Sequence, residues 1–121
     1  MDVLLDTNFV ISCIKKKIDF VTELGALGFK VALPKEVLNE LKDLKNDGSH
    51  ADRTAIGVAL EMFDKLDIKR IKLGGGKVDD KLIEHGKNGT YIASLDAYIK
   101  RSVPNKVVIN YANNGLMVER G

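Results

Sequence analysis

Short unbroken apolar runs alternate along the chain with segments in which apolar residues recur every three or four positions. Val3, Leu4 and Leu5 form the first run and Asp6 ends it, as expected of a strand buried on both faces in a parallel sheet. A second run, Lys30 to Leu33, stops at Pro34, which has no N–H to lose and a φ preset for opening a helix. That helix carries Val37, Leu38, Leu41 and Leu44 on one face and is predicted to end near Lys45, before the turn formers Asn46-Asp47-Gly48-Ser49. Ile56, Ala59, Leu60, Phe63 and Leu66 give the strongest helical repeat, with Asp52 as its expected cap. Ile68 to Leu73 alternates apolar and basic residues, a strand with one wet face, and runs into a Gly74-Gly75-Gly76 hinge. Val78 to Lys87 is predicted as a helix opened by Asp79 or Asp80. Tyr91 to Ala93 follows as a strand, Leu95 to Arg101 as a short helix and Val107 to Ile109 as a strand. Gly115 to Val118 reads either as an edge strand or, across the Asn113-Asn114-Gly115 turn, as a hairpin partner of Val107 to Ile109. Residues 1–121 are therefore predicted to form a single α/β domain with a mostly parallel central sheet.

Composition narrows what such a domain can do. Lys and Arg number 19 against 17 Asp and Glu, a net charge of +2, so affinity for nucleic acid must come from local clusters rather than the bulk field. With 45% hydrophobic and 6% aromatic residues and no Trp, the chain suits an aliphatic core, not a disordered one. The single cysteine, Cys13, cannot close an internal disulfide, and with His50 and His85 it cannot complete a four-ligand zinc site. Asp2 and Asp6 bracket the first apolar run and Lys15 to Lys17 follow it, unlike a signal peptide, so a cytoplasmic location is expected. The longest apolar stretches, such as Phe9 to Ile11 and Leu24 to Phe29, fall far short of the roughly 20 residues a membrane span needs.

The acids carry the candidate chemistry. In an open parallel sheet ligands gather outside the carboxyl ends of the strands, and four acids are expected at that edge. Asp6 ends the first strand; Glu40 lies about two turns into the helix after the second. Asp80 opens the helix after the glycines, and Asp96 follows the Tyr91 to Ala93 strand. Four neighbouring carboxylates disfavour one another's ionisation, and a divalent cation resolves the repulsion. Oxygen ligands without a nearby His or thiolate favour Mg²⁺ or Mn²⁺, ions suited to phosphodiester hydrolysis. Taken singly, Asp6, Asp79, Asp80 and Asp96 also read as ordinary helix caps. Glu40 does not: its helical neighbours are Glu36, Asp43 and Leu44, none of them a cation.

Four motifs in order match a known family. Leu4-Leu5-Asp6-Thr7-Asn8 before an apolar helix resembles the first motif of PIN domains, in which the Asp is a metal ligand that the following Thr and Asn help to hold. Pro34-Lys35-Glu36-Val37-Leu38-Asn39-Glu40-Leu41 resembles the second, with Glu40 as the catalytic acid. Val78-Asp79-Asp80-Lys81-Leu82-Ile83 is similar to the third; the Asp-x-x-Ile spacing favours Asp80 as the ligand, with Asp79 as the alternate. Ala93-Ser94-Leu95-Asp96 is similar to the fourth, Thr-Asn-Asp, with Ser94 as the supporting hydroxyl and Leu95 where the family has Asn. The resemblance implies a three-layer α/β/α PIN-like fold and an Mg²⁺- or Mn²⁺-dependent endoribonuclease with Asp6, Glu40, Asp80 and Asp96 as metal-binding catalytic residues. It further implies either a VapC-type toxin with an antitoxin partner or an archaeal nuclease acting on a small-subunit ribosomal RNA precursor. A catalytically silent RNA-binding or scaffold module is the alternative that Leu95 suggests.

Other signals add less. Gly74-Gly75-Gly76-Lys77 fails as a phosphate loop, since Ile71 stands where its first Gly belongs and Val78 where Ser or Thr belongs. Among the cationic runs, Lys100 and Arg101 are the preferred RNA-backbone contacts because their helix starts at the site. Cys13 is expected in the core. A receiver-like phosphoacceptor fits poorly, as Asp6 lacks an acidic partner and Glu40 would have no role. Homodimerisation through the apolar helices is left open.

Overall fold

The computed structural model describes residues 1–121. Its strands are β1 (Asp2–Leu5), β2 (Lys30–Pro34), β3 (Lys69–Ile71), β4 (Tyr91–Ala93), β5 (Lys106–Asn110) and β6 (Gly115–Glu119). The helices are α1 (Thr7–Lys15), α2 (Phe20–Ala26), α3 (Lys35–Asp47), α4 (His50–Lys65), α5 (Val78–Lys87) and α6 (Ala97–Ser102). The strands form one sheet in the order β3-β2-β1-β4-β5-β6, parallel except for β6, which runs antiparallel to β5. Gly115 onwards is thus both an edge strand and a hairpin arm. No helix is long and apolar enough to cross a membrane.

Alternation along the strands makes the three layers. Val3 and Leu5 of β1, Leu33 of β2, Tyr91 and Ala93 of β4 and Val107 and Ile109 of β5 face a large apolar cluster completed by α1, α2, α3 and α4. Leu4, Ala32 and Ile92 point the other way, onto Leu82 and Ile83 of α5 and Ile99 of α6. Both faces of the central strands are therefore covered, which explains why they read as continuous apolar runs. Phe20 joins α1, α2 and α4, meeting Phe9 and Phe63 edge to face at centroid distances of 6.0 and 6.2 Å.

The topology creates a switch point. From β1 the chain steps outward to β2 and β3, then returns to lay β4 against the other side of β1. Connections leave in opposite directions from the carboxyl ends of β1 and β4, opening a crevice there. Val3 pairs with Val31 on one side and Tyr91 on the other, so Asp6, just past β1, and Ser94, just past β4, emerge side by side.

Several local readings need correction. The periodicity did not reveal α2, which Asp19 caps through the Thr22 backbone N–H at 3.3 Å and its hydroxyl at 2.8 Å. The cap of α4 is Ser49, whose Oγ accepts from the Asp52 N–H at 3.2 Å. Asp52 lies one turn inside, where its carboxylate pairs with Lys15 and ties α4 to α1. Helix α3 continues to Asp47, and Pro34 ends β2 as its N-cap residue. The Ile68 to Leu73 run keeps only Lys69–Ile71 as strand, and α6 begins at Ala97 with Asp96 as its cap.

Candidate active site

Asp6 is built into the crevice by the end of β1. Its backbone N–H donates to the Ala93 carbonyl at 3.0 Å, carrying the β1–β4 pairing one residue past the strand. As N-cap of α1 its Oδ1 accepts from the Thr7 N–H at 2.9 Å. Oδ2 accepts from the Ser94 hydroxyl at 2.8 Å. The same Ser94 Oγ accepts the Asp96 N–H at 3.0 Å, and Asp96 Oδ1 accepts from the Ile99 N–H at 2.9 Å as the cap of α6. Both acids therefore do cap helices, yet Asp6 is only 6% exposed and Ser94 only 1%. Burial pushes the Asp6 carboxyl above its ordinary value of 3.8 despite the opposing bonds from Ser94 and Thr7, and the charges of Asp79 and Glu40 push it further.

Glu40 reaches the same place from α3, its Oε1 accepting from the Thr7 hydroxyl at 2.9 Å. Thr7 thereby holds Asp6 through its backbone and Glu40 through its side chain. The acidic doublet, Asp79 and Asp80, stands side by side in the first turn of α5, and the charge of Asp79 bears on Asp6. The Asp79 carboxyl is raised by partial desolvation, then by Asp96 and Asp80, against a lowering by Lys77. Asp80 lies one helical step, about 100°, further round, and α5 opens at Lys77 with no side-chain cap. Neither Asp79 nor Asp80 is therefore spent on capping. The structure thus joins Asp6, Glu40 and Asp96 through Thr7 and Ser94 in one hydrogen-bonded network, with the Asp79-Asp80 doublet at the start of α5. Asn8 is exposed on α1, with no side-chain hydrogen bond that ties it to this network.

A family profile described as "PIN like domain" matches residues 3–110, nearly the whole chain. The chain belongs to the PIN-like domain family. Eight chains of solved structures match it. One is the crystal structure of VapBC2 from Rickettsia felis bound to a DNA fragment from their promoter. Against it the TM-score is 0.61 at 18% identity, covering 92% of this chain and 99% of that one, a likeness of fold. Among curated proteins no sequence matches.

In this PIN-like domain Leu95, the departure in the fourth motif, packs against the large apolar cluster. It anchors the end of β4 instead of turning a polar group toward the crevice, while Ser94 and the Asp96 backbone keep their places. No three His, Cys, Asp or Glu side chains stand together as a ready chelate. The donor set nonetheless fits a hard divalent ion. Each Asp6 oxygen accepts one hydrogen bond, which leaves acceptor capacity on both. An ion such as Mg²⁺ keeps several waters and takes only one or two carboxylates directly. Sequence reasoning overlooked Glu36, whose carboxylate accepts the backbone N–H groups of Leu73 and Gly74. In sequence it reads only as a like charge one turn before Glu40.

Proposed function

We propose that this PIN-like domain is a divalent-metal-dependent endoribonuclease, with Asp6, Glu40, Asp79 and Asp96 as the carboxylates of its site and Asp80 beside them. The observation that carries this reading is the buried Asp6 carboxylate, disfavoured in its ionised form and placed against Glu40 and Asp79. A carboxylate so placed gains most from a cation. Mg²⁺ or Mn²⁺ bound there would supply an activated water and stabilise the charge that develops at phosphorus. Asp6, in a frame fixed by Ser94 and Thr7, would be a ligand of that ion. Glu40, held by the Thr7 hydroxyl, would serve as the group that accepts a proton from the attacking water. Lys100 and Arg101, in the last turn of α6, hold the RNA backbone beside the acids.

A VapC-type role with an antitoxin partner is supported by the likeness to VapBC2, a complex named with its promoter DNA. The surface that fits such a partner lies between α1, α2 and α4, where Ile14, Val58, Met62 and Leu66 line adjoining grooves. Val58 and Leu66 are 51% and 52% exposed there, an apolar face of the sort that marks a protein contact.

The decisive experiment incubates purified protein with single-stranded, structured and ribosomal-precursor RNA in Mg²⁺, Mn²⁺ or EDTA, beside Asp6→Asn. Cleavage is expected only with metal and only in the wild type. Cleavage that persists in EDTA or in the variant refutes the metal site; RNA bound but never cut favours the silent RNA-binding module. Preference for the precursor over the other RNAs turns the role from toxin to rRNA processing.

A further inference from the structure

Glu36 lies in the first turn of α3, one turn ahead of Glu40. Its Oε1 and Oε2 accept the Leu73 N–H at 3.0 and 3.1 Å, and Oε2 accepts the Gly74 N–H at 3.2 Å. These two amides mark the point where the chain leaves β3 for the glycine run, whose Gly74 and Gly76 take φ of +100° and +104°. Side chains rarely adopt such angles, so the run has little intrinsic preference for one path. Residues 72–76 make no other hydrogen bond, and α5 starts at Val78, with an N-cap residue, Lys77, whose side chain makes no capping bond. Leu82 and Ile83 hold the body of α5 on the sheet, while the loop that leads into its first turn, where Asp79 stands, is tied down by this carboxylate and by the buried Leu73 side chain.

We propose that Glu36 is a positioning residue of the site: it clamps the β3–α5 loop so that Asp79, carried by α5, meets Asp6 and Asp96, while the same helix delivers Glu40 directly. One helix then sets two of the four carboxylates, one by its own side chain and one through a loop. Glu36 touches neither the reacting atoms nor the ion. Its negative charge is consumed by backbone donors and by Lys72 nearby, so it serves the site without adding to its repulsion.

The inference rests on the metal-nuclease reading, and its test separates the two. Wild type, Glu36→Ala, Glu36→Gln and a distant control, Glu84→Ala, are titrated with Mn²⁺ by calorimetry. Amide hydrogen exchange, thermal unfolding and single-turnover RNA cleavage are measured on the same samples. Glu36→Ala is expected to lose protection at Leu73 and Gly74, to bind Mn²⁺ about tenfold or more weakly, and to lower kcat with KM for RNA unchanged. Glu36→Gln, which keeps one acceptor oxygen, falls between, and Glu84→Ala matches the wild type. Unchanged Mn²⁺ affinity and kcat in Glu36→Ala overturn the proposal and leave the nuclease reading standing. If Glu36→Ala does not fold, wild-type affinity and kcat in Glu36→Gln overturn it equally. A wild type that binds no Mn²⁺ refutes the metal reading and this inference with it.

Discussion

Ser94 is the residue through which the two fixed acids of the crevice are joined. Its hydroxyl donates to Asp6 and accepts from the Asp96 backbone while almost wholly buried. Ser94→Ala leaves a buried carboxylate oxygen and a backbone N–H without partners, a change that costs about 1–3 kcal/mol. The expected result is a lower urea midpoint with an unchanged m value. Asp6 gives the opposite result. Its folded-state pKa lies above 3.8, so over the window just above pH 3.8 the folded chain holds a proton that the unfolded chain has released. Stability therefore falls as pH rises through that window and stays lowered at neutral pH. Asp6→Asn is expected to melt a few degrees higher than wild type at pH 7.5 in EDTA, where about 1 kcal/mol corresponds to roughly 3–6 °C for a domain of this size. The gap closes toward pH 4, and added Mn²⁺ raises the melting point of the wild type alone. A wild type that melts above Asp6→Asn in EDTA at every pH contradicts the assignment. Glu36 titrates with the other sign: its pKa is lowered from 4.5, chiefly by the Leu73 N–H, so its contribution is complete above about pH 4.5 and is lost in acid. Asp6, Glu40 and Asp96 were legible in sequence because each stands at a fixed step from a strand end or a proline. The facing of the Asp79-Asp80 doublet was not, since it depends on the azimuth at which α5 leaves a glycine loop. Glu36 was hidden because its partners are backbone groups 37 and 38 residues away, and backbone amides have no signature in a sequence. Cys13 kept its core reading; burial pushes its thiol up to about 12, which leaves it inert.

At the scale of elements, the thinner layer depends on one close approach. Gly86, buried in the last turns of α5, lies where an added Cβ would run into the Val103 side chain, 2.8 Å from its Cβ, and come within 3.1 Å of Ile92 Cγ1. Gly86→Ala should gain helix propensity yet lose about 1–3 kcal/mol net through overpacking, read as a lower melting point. Val103→Ala in the same chain makes room, so the double variant should lose less than the two single losses added together. A Gly86→Ala protein as stable as wild type would show that α6 shifts freely. The periodic helices α3, α4 and α5 were legible because each turns a regular apolar stripe into one of the two core clusters. Helix α2 escaped notice because Phe20 and Leu24 are its only buried positions and Gly25 and Gly28 interrupt the pattern. Ser49 was passed over as the cap of α4 because Asp52, three residues on, is an equally good capping type. What the sequence does not show is that the chain is already helical from His50, which leaves Ser49 outside as the cap and sets Asp52 one turn in, where its carboxylate pairs with Lys15 of α1.

For the whole molecule the near-balance of charge, 19 basic against 17 acidic residues, conceals two opposed regions. The acids that repel one another converge on the carboxyl edge, and each divalent ion taken up there shifts the net charge by about two. On the proposed function RNA affinity is expected to fall with salt, and if Lys100 and Arg101 each meet a phosphate, removing both should flatten the log–log slope by about 1.4, near 0.7 for each contact. A slope unchanged in the Lys100→Ala, Arg101→Ala protein places the RNA elsewhere. The three-layer order was legible from the alternation of runs and repeats, whereas the side-by-side placement of β1 and β4 was not, because strand neighbours are chosen in three dimensions. That placement also sets a timetable. The first strand made lies at the centre of the sheet and waits for a neighbour that begins only at Tyr91. At about 5–20 residues per second of synthesis, Asp6 leaves the peptidyl-transferase centre on the order of ten seconds before Asp96 exists. On the function proposed above, the site is incomplete, and the chain inactive, for most of the time that it is being made.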